Sequence, residues 1–478
     1  MQTASQAIEA DCGVRLPFPV IAALLGYGIA LFAPPLLNDG DTYWHIATGE
    51  WVLRNGTVPH IDPFSYTLAG SPWVAHEWLS DVLMALAYKA GAWDGVVMLF
   101  GVAIALTFGL LAHHLTRWLS QPAALTVLVL GAACISPSLL ARPHMLALPA
   151  LALWTVGLLQ ARRKGTAPSV LLLPLMAIWA NLHGSFIFGL ALVLPFAAEA
   201  VVEAGAARVR IAGRWGLFIV AAIGAALLTP HGWHGLLFPF QLLHMRQLAS
   251  INEWGPTDFS TLQPLEIALV ALLYIAFSRG VRIPPLRLLT LLGLLHLALQ
   301  HSRHQMLAGM LGTLILAEPL GQAFGRRAYE GAGRPAGRWI VGGVAFAMLL
   351  TVIRVAYPLA RADDPVSPIT ALHQVPAEIA RQPVFNDYGF GGYLIFENVK
   401  PFIDGRADMY GDDFISAYTT AMAANGRAFE LMVERYGIRW TILRAGSPAL
   451  AMLDTLPGWR RLYADDIAVV HIRAGSGR

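Results

Sequence analysis

Charge is scarce in this chain. Of its 478 residues, 13% are charged and 56% are hydrophobic. A soluble chain of this size carries about a quarter charged residues. The shortage excludes an ordinary soluble globular protein. The net charge of +3 comes from short arginine clusters between apolar runs, so no nucleic-acid footprint forms. Cysteine is scarcer still. Cys12 and Cys134 are far apart, which excludes a disulfide framework and a cysteine-based metal site. Cys134 sits in an apolar run and reads as a small core residue. There is no internal repeat, and no low-complexity segment beyond Arg326–Gly337 and the terminal Ala474–Arg478. The first apolar run, Leu16 to Leu37, lacks a small-residue cleavage site and reads as a retained helix.

What the sequence has in quantity is apolar runs of spanning length. About eleven transmembrane helices are expected, near 16–37, 94–116, 121–140, 144–161, 167–181, 184–204, 215–230, 264–278, 287–301, 304–320 and 338–357. Trp78–Gly91 is apolar but too short to cross, and reads as a helix lying at the interface. The arginine distribution supports that choice. One set of loops receives Arg15, Arg117, Arg162, Arg163, Lys164, Arg208, Arg210, Arg214, Arg279, Arg282, Arg287, Arg326, Arg327, Arg334 and Arg338. The other receives only Arg54, Lys89, Arg142, Arg246 and Arg303. The positive-inside rule then puts the N-terminus in the cytoplasm and the C-terminus in the periplasm of a bacterial inner membrane.

Two domains follow. Residues 1–357 form a transmembrane domain with a large first periplasmic loop, 38–93. Residues 358–478 form a small periplasmic α/β domain. In the latter, Pro383–Asp387, Gly392–Glu397 and Pro401–Gly405 read as strands. Asp413–Tyr436 reads as a long helix. The segment Ile438–Arg444, a helix near Pro448–Leu456 and the stretch Arg460–Arg473 complete it.

The ionisable residues gather on the periplasmic side. Asp41 follows the first span directly, where a carboxylate can act as general base toward an acceptor hydroxyl or ligate a hard cation. The plainer reading is a helix cap, and Asp39 is assigned to it. A helix from Thr42 to Leu53 is expected in the membrane plane. His76 and Glu77 open the helix at Trp78 and suit a phosphate, a sugar or a metal. Neighbours on a helix point apart, which disfavours a shared metal. Arg142, His144, His183, Glu253, Arg303 and His304 sit at short turns between spans. Any one of them could be an interface anchor. Convergent, they would form a functional site, because burying ionisable groups in a bundle is costly. Arginine with histidine suits a lipid phosphate better than a sugar alone. Asp62-Pro63, Asp387-Tyr388-Gly389 and the segment Asp404–Asp408 read as turns.

This arrangement resembles the GT-C superfamily of integral-membrane glycosyltransferases, which includes protein O-mannosyltransferases, aminoarabinose transferases and oligosaccharyltransferase catalytic subunits. Asp41 matches the family's acidic position after the first span. Thr48–Pro59 matches its juxtamembrane stretch, and His76-Glu77-Trp78-Leu79 through Gly91 stands where its anchor lies. The family's acidic pair reads Asp41-Thr42 here, and the anchor's prolines are missing. Phe385–Tyr393 looks like the Trp-Trp-Asp-Tyr-Gly signature of oligosaccharyltransferases with both tryptophans replaced. The chain is also similar to bacterial membrane proteins sharing four short patterns. Here these run from Asp41 through Trp44-His45 to Gly49, Asp62–Thr67, His76–Leu79, and Asp404-Gly405-Arg406-x-Asp408-Met409-Tyr410.

The resemblance implies a membrane glycosyltransferase that moves a sugar from a polyprenyl-phosphate donor to a lipid, glycan or protein acceptor at the periplasmic face. Asp41 would be catalytic. Arg142, His144, Arg303 and His304 would bind the donor phosphate, and His76, Glu77, His183 and Glu253 the substrate. A divalent cation (Mg or Mn) on Asp41 or Glu77 is left open as a cofactor. A surface-polysaccharide polymerase or ligase is the nearest alternative. A transporter of lipid-linked substrate fits less well, because few charges lie mid-span.

Overall fold

The computed structural model describes residues 18–242, 245–246, 252–325 and 337–475. The readings at Cys12, Arg15, the start of the first span, Arg326, Arg327, Arg334 and the last three residues fall outside them.

Helices form where the apolar runs predicted them, and one more, Trp233–Leu242, forms in a stretch read as a loop. They are α1 (Phe18–Phe32), α2 (Asp41–Asn55), α3 (Trp78–Leu115), α4 (Gln121–Ile135), α5 (Pro143–Lys164), α6 (Leu172–Leu182), α7 (Phe186–Glu203), α8 (Arg208–Ala226), α9 (Trp233–Leu242), α10 (Pro264–Arg279), α11 (Pro285–Gln300), α12 (Gln305–Ala323) and α13 (Gly337–Ala356). Proline opens α5, α10 and α11, where its missing N–H costs nothing. Left-handed Gly165 and Gly280 close α5 and α10.

Each of the eleven expected spans coincides with a helix. Among the described residues, 7 helical segments are long and apolar enough to cross a membrane: Trp78–Leu115, Gln121–Ser138, Pro143–Lys164, Phe186–Glu203, Gly205–Ala226, Ser302–Ala323 and Gly337–Ala356. The helices α1, α6, α10 and α11 have 15, 11, 16 and 16 residues. They are shorter than the ~20 residues of a straight span.

The segment Trp78–Gly91 is not collinear with the span after it. Helical geometry breaks at Gly91 and at Ala92, whose φ is 48°. In a continuous helix, residues eight apart are about 12 Å apart along the axis. Here a Cβ on Gly95 would lie 2.0 Å from the carbonyl oxygen of Ala87. The chain therefore doubles back, and Tyr88 meets Trp93 edge to face at 5.1 Å.

The C-terminal region carries a sheet of β1 (Val384–Asn386), β2 (Trp440–Arg444), β3 (Trp459–Ala464) and β4 (Ala468–Arg473), in the order β1-β2-β4-β3. The β1–β2 pair is parallel and the other two are antiparallel. Two of the expected strands are corrected. Gly391–Phe396 is a short helix, and Pro401–Gly405 is irregular. Asn386 accounts for the second: its side chain caps the backbone there, accepting from Phe402 N–H at 2.7 Å and donating to Ile403 O at 2.8 Å. The long helix expected over Asp413–Tyr436 is two, Ala407–Met422 and Gly426–Tyr436, the first broken at Gly411.

This region is fastened to the first loop. Helix α2 is buried between the first half of α3 and Gly391–Phe396. Arg406, fully buried, pairs with Asp404 and with Asp62, each at 2.7 Å, and lies 4.7 Å over the Trp73 ring. Asp62 also holds the turn expected at Asp62-Pro63, accepting from Phe64 N–H at 2.9 Å.

Candidate functional site

At one end of the bundle lies a cavity of about 550 Å³. Its lining includes all nine candidate residues: Asp41, His76, Glu77, Arg142, His144, His183, Glu253, Arg303 and His304. They come from six separate stretches of chain. The Arg162, Arg163 and Lys164 cluster ends α5, the helix that begins beside Arg142 at the cavity. The clustered arginines of that helix thus sit at the opposite end from the site.

Arg142 is the hub. Its Nε lies 2.7 Å from Asp39 Oδ2, its Nη2 3.0 Å from Asp41 Oδ2, and its Nη1 3.0 Å from Glu253 Oε2. Glu253 reaches on to Arg303, whose Nη1 is 3.3 Å from Oε1. Arg303 lies 4.3 Å over the Trp254 ring. Burial by itself would raise the Glu253 carboxyl, but the two arginines overcome it and hold it below the usual range. Asp39 therefore does more than cap. It takes the Asp41 N–H at 2.8 Å and also fixes Arg142.

Asp41 is the first residue of α2, with Gly40 as the cap. Its Oδ1 accepts from Trp44 Nε1 at 3.0 Å. Burial pushes its carboxyl up to about 6, against the pull of Arg142. A Cβ on Gly405 would lie 1.8 Å from Asp41 Oδ1, so the turn Asp404–Arg406 rests directly on this carboxylate. Tyr388 and Asp408 from the C-terminal region also line the cavity. Burial raises Asp408 to about 6.

A second cluster surrounds Glu77. His183 Nε2, His76 Nε2 and His45 Nε2 lie 3.3, 3.6 and 3.9 Å from its carboxyl oxygens. His183 Nδ1 accepts from Ser185 N–H at 3.0 Å, so the proton of the neutral ring is on Nε2, the nitrogen that faces Glu77. His45 Nδ1 lies 2.6 Å from Asp81 Oδ1. Burial pushes Glu77 up to about 8 and His76 down to about 4. At neutral pH the cluster is a protonated carboxyl among neutral imidazoles. His76 and Glu77 were expected on a helix and pointing apart. They precede it, in an irregular segment that lets both face the cavity.

Among the described residues, no group of three or more His, Cys, Asp or Glu is disposed to hold a metal ion. The oxygens of Asp41 are engaged by Trp44 and Arg142, and Glu77 faces imidazoles. Magnesium or manganese prefers a set of oxygen donors, which these residues do not supply.

His144 Nε2 donates to Ser138 O at 2.8 Å, and His304 is buried with Nδ1 unpartnered. His45, Asp81, Tyr388, Gly405 and Asp408 were not singled out from the sequence as site residues. Of these, His45, Gly405 and Asp408 fall in the shared patterns Asp41–Gly49 and Asp404–Tyr410, which were the signals available for them.

No known family's sequence pattern matches the chain, and no curated protein matches it. Solved structures do. The chain is similar to the apo oligosaccharyltransferase of Archaeoglobus fulgidus, with a TM-score of 0.54 and 9% identity over 89% of this chain and 69% of that one. It is similar also to ArnT from Cupriavidus metallidurans, solved bound to undecaprenyl phosphate. There the TM-score is 0.54 and the identity 13%, over 96% of this chain and 98% of that one. The chain thus shares its fold with these two solved structures.

Proposed function

We propose that this protein is a glycosyltransferase that moves a sugar from a polyprenyl-phosphate donor to an acceptor hydroxyl at the periplasmic face of the inner membrane. The carrying observation is that nine residues from six stretches line one cavity together with apolar side chains. The apolar part of the lining, Leu148, Leu151, Ile187, Phe188, Met306 and Leu307, suits a polyprenyl chain. The fold shared with a protein bound to undecaprenyl phosphate supports the same donor class.

The chemistry follows from the groups present. The acceptor O–H loses its proton to Asp41. The freed electron pair forms the bond to the anomeric carbon. The bond from that carbon to the phosphate oxygen breaks, and its electron pair leaves on the lipid phosphate. Arg303 and Arg142 stabilise that charge as it develops. Asp41, near 6, is ionised at neutral pH yet basic enough to accept a proton. Glu77, protonated, can donate to a sugar oxygen. One displacement inverts the anomeric centre.

The test is turnover of a radiolabelled polyprenyl-phosphate sugar by the purified chain, with lipid, glycan and protein acceptors offered separately. Release of lipid phosphate coupled to sugar transfer supports the reading. An intact donor under every acceptor overturns it, and transfer only onto a lipid-linked glycan identifies a polymerase or ligase instead.

A further inference from the structure

Two arginine nitrogens in the cavity share one ligand. Nη1 of Arg142 and Nη1 of Arg303 both face the Glu253 carboxylate, at 3.0 and 3.3 Å. The other nitrogens of Arg142 are held by Asp39 and Asp41. The two Nη1 groups are therefore the seat for an incoming anion, and a side chain of the protein fills it.

We infer that Glu253 is an internal occupant of the anion seat, and that its presence makes the seat select a phosphate monoester dianion over weaker anions. The inference rests on the donor reading above.

The backbone around Glu253 is fixed at several points. Ser302 Oγ donates to Glu253 O at 3.2 Å, and His301 Nδ1 donates to Trp254 O at 2.6 Å. Trp254 is buried beneath Arg303. The Glu253 side chain is 33% exposed, so it can leave the seat by rotating about its own bonds while the turn stays in place. Charge then decides which ligand displaces it. Three carboxylates, Asp39, Asp41 and Glu253, already face two guanidinium groups. A monoanion offers the arginines no more charge than Glu253 does, so it gains little by displacing it. A phosphate monoester carries nearly two charges and three acceptor oxygens, enough to bridge both Nη1 groups at once. The same chemistry belongs to a polyprenyl phosphate headgroup and to free phosphate. The apolar side chains lining the cavity distinguish them by rewarding an attached chain.

The test is equilibrium binding to the full chain in neutral detergent, with dodecyl phosphate, its monoanionic methyl ester and inorganic phosphate as probes. Wild type should bind dodecyl phosphate and discriminate against the methyl ester. Glu253→Gln should bind dodecyl phosphate about tenfold tighter, the scale of one charge-assisted contact, and should lose most of that discrimination. Glu253→Asp, too short to bridge both arginines, should fall between them, and a melting curve confirms that each variant is folded. Inorganic phosphate should bind more weakly than dodecyl phosphate to every variant. Weaker or unchanged binding in a folded Glu253→Gln overturns the occupant while leaving the donor reading intact. Failure of every phosphate probe to bind wild type and variants overturns both.

Discussion

Gly405→Ala is a one-atom test of how the C-terminal region sets the site. The new Cβ would stand 1.8 Å from Asp41 Oδ1 and 3.1 Å from Trp44 Nε1. Ordinary contact begins near 3.4 Å, so something must yield by more than an ångström. The turn is poorly placed to yield. Arg406 locks it to Asp404 and Asp62 at 2.7 Å each, in a fully buried network that Tyr410 joins at 2.8 Å. Asp41 is therefore the group that moves, leaving Arg142 and Trp44. A base displaced by about 1 Å costs on the order of 100-fold in rate. The overpacking itself costs about 1–3 kcal/mol of stability, so the protein should remain folded. Single-turnover transfer from a radiolabelled donor, beside a thermal melt, separates the two effects. A folded Gly405→Ala that transfers within twofold of wild type would refute the reasoning, because the exact seat of Asp41 would then not matter.

Three further outcomes are expected. Transfer rate should rise with pH through about 6 as Asp41 ionises, and Asp41→Glu should shift or abolish that limb in a pH–rate profile. Glu77 holds its proton up to about 8 in the folded chain, above the ordinary carboxylate range. Its burial thus becomes a growing cost as pH climbs from that range toward 8, and Glu77→Gln should gain melting temperature over wild type at pH 8.5 but not at pH 4. Arg406→Met leaves Asp404 and Asp62 buried without their cation and should cost about 3–5 kcal/mol, read as a lowered denaturation midpoint.

Much of the bundle was legible because lipid imposes long apolar runs and arginines report the loops between them. The separation of Trp78–Gly91 from the span after it was legible from length and from the arginine distribution, since a fourteen-residue segment is too short to cross. The nine lining residues were legible as costly ionisable groups at bundle turns. Their partners were not. The embrace of Arg142 by Asp39, Asp41 and Glu253 joins residues more than a hundred positions apart, and no periodicity encodes it. Asp404–Asp408 reads locally as a turn, but only Asp404–Arg406 is irregular, and a helix opens at Ala407. The turn's contact with Asp41 depends on how two regions dock. Gly391–Phe396 misled because a short buried apolar run looks the same as helix or strand.

The central claim is that Asp41 takes a proton while a sugar leaves a lipid phosphate. Its most direct measurement is single-turnover transfer by purified wild type and Asp41→Asn, with a radiolabelled polyprenyl-phosphate sugar at saturation. Wild type should convert the donor to glycosylated acceptor and free lipid phosphate, while a folded Asp41→Asn binds the donor and leaves it intact. Equal conversion by both proteins would contradict the account.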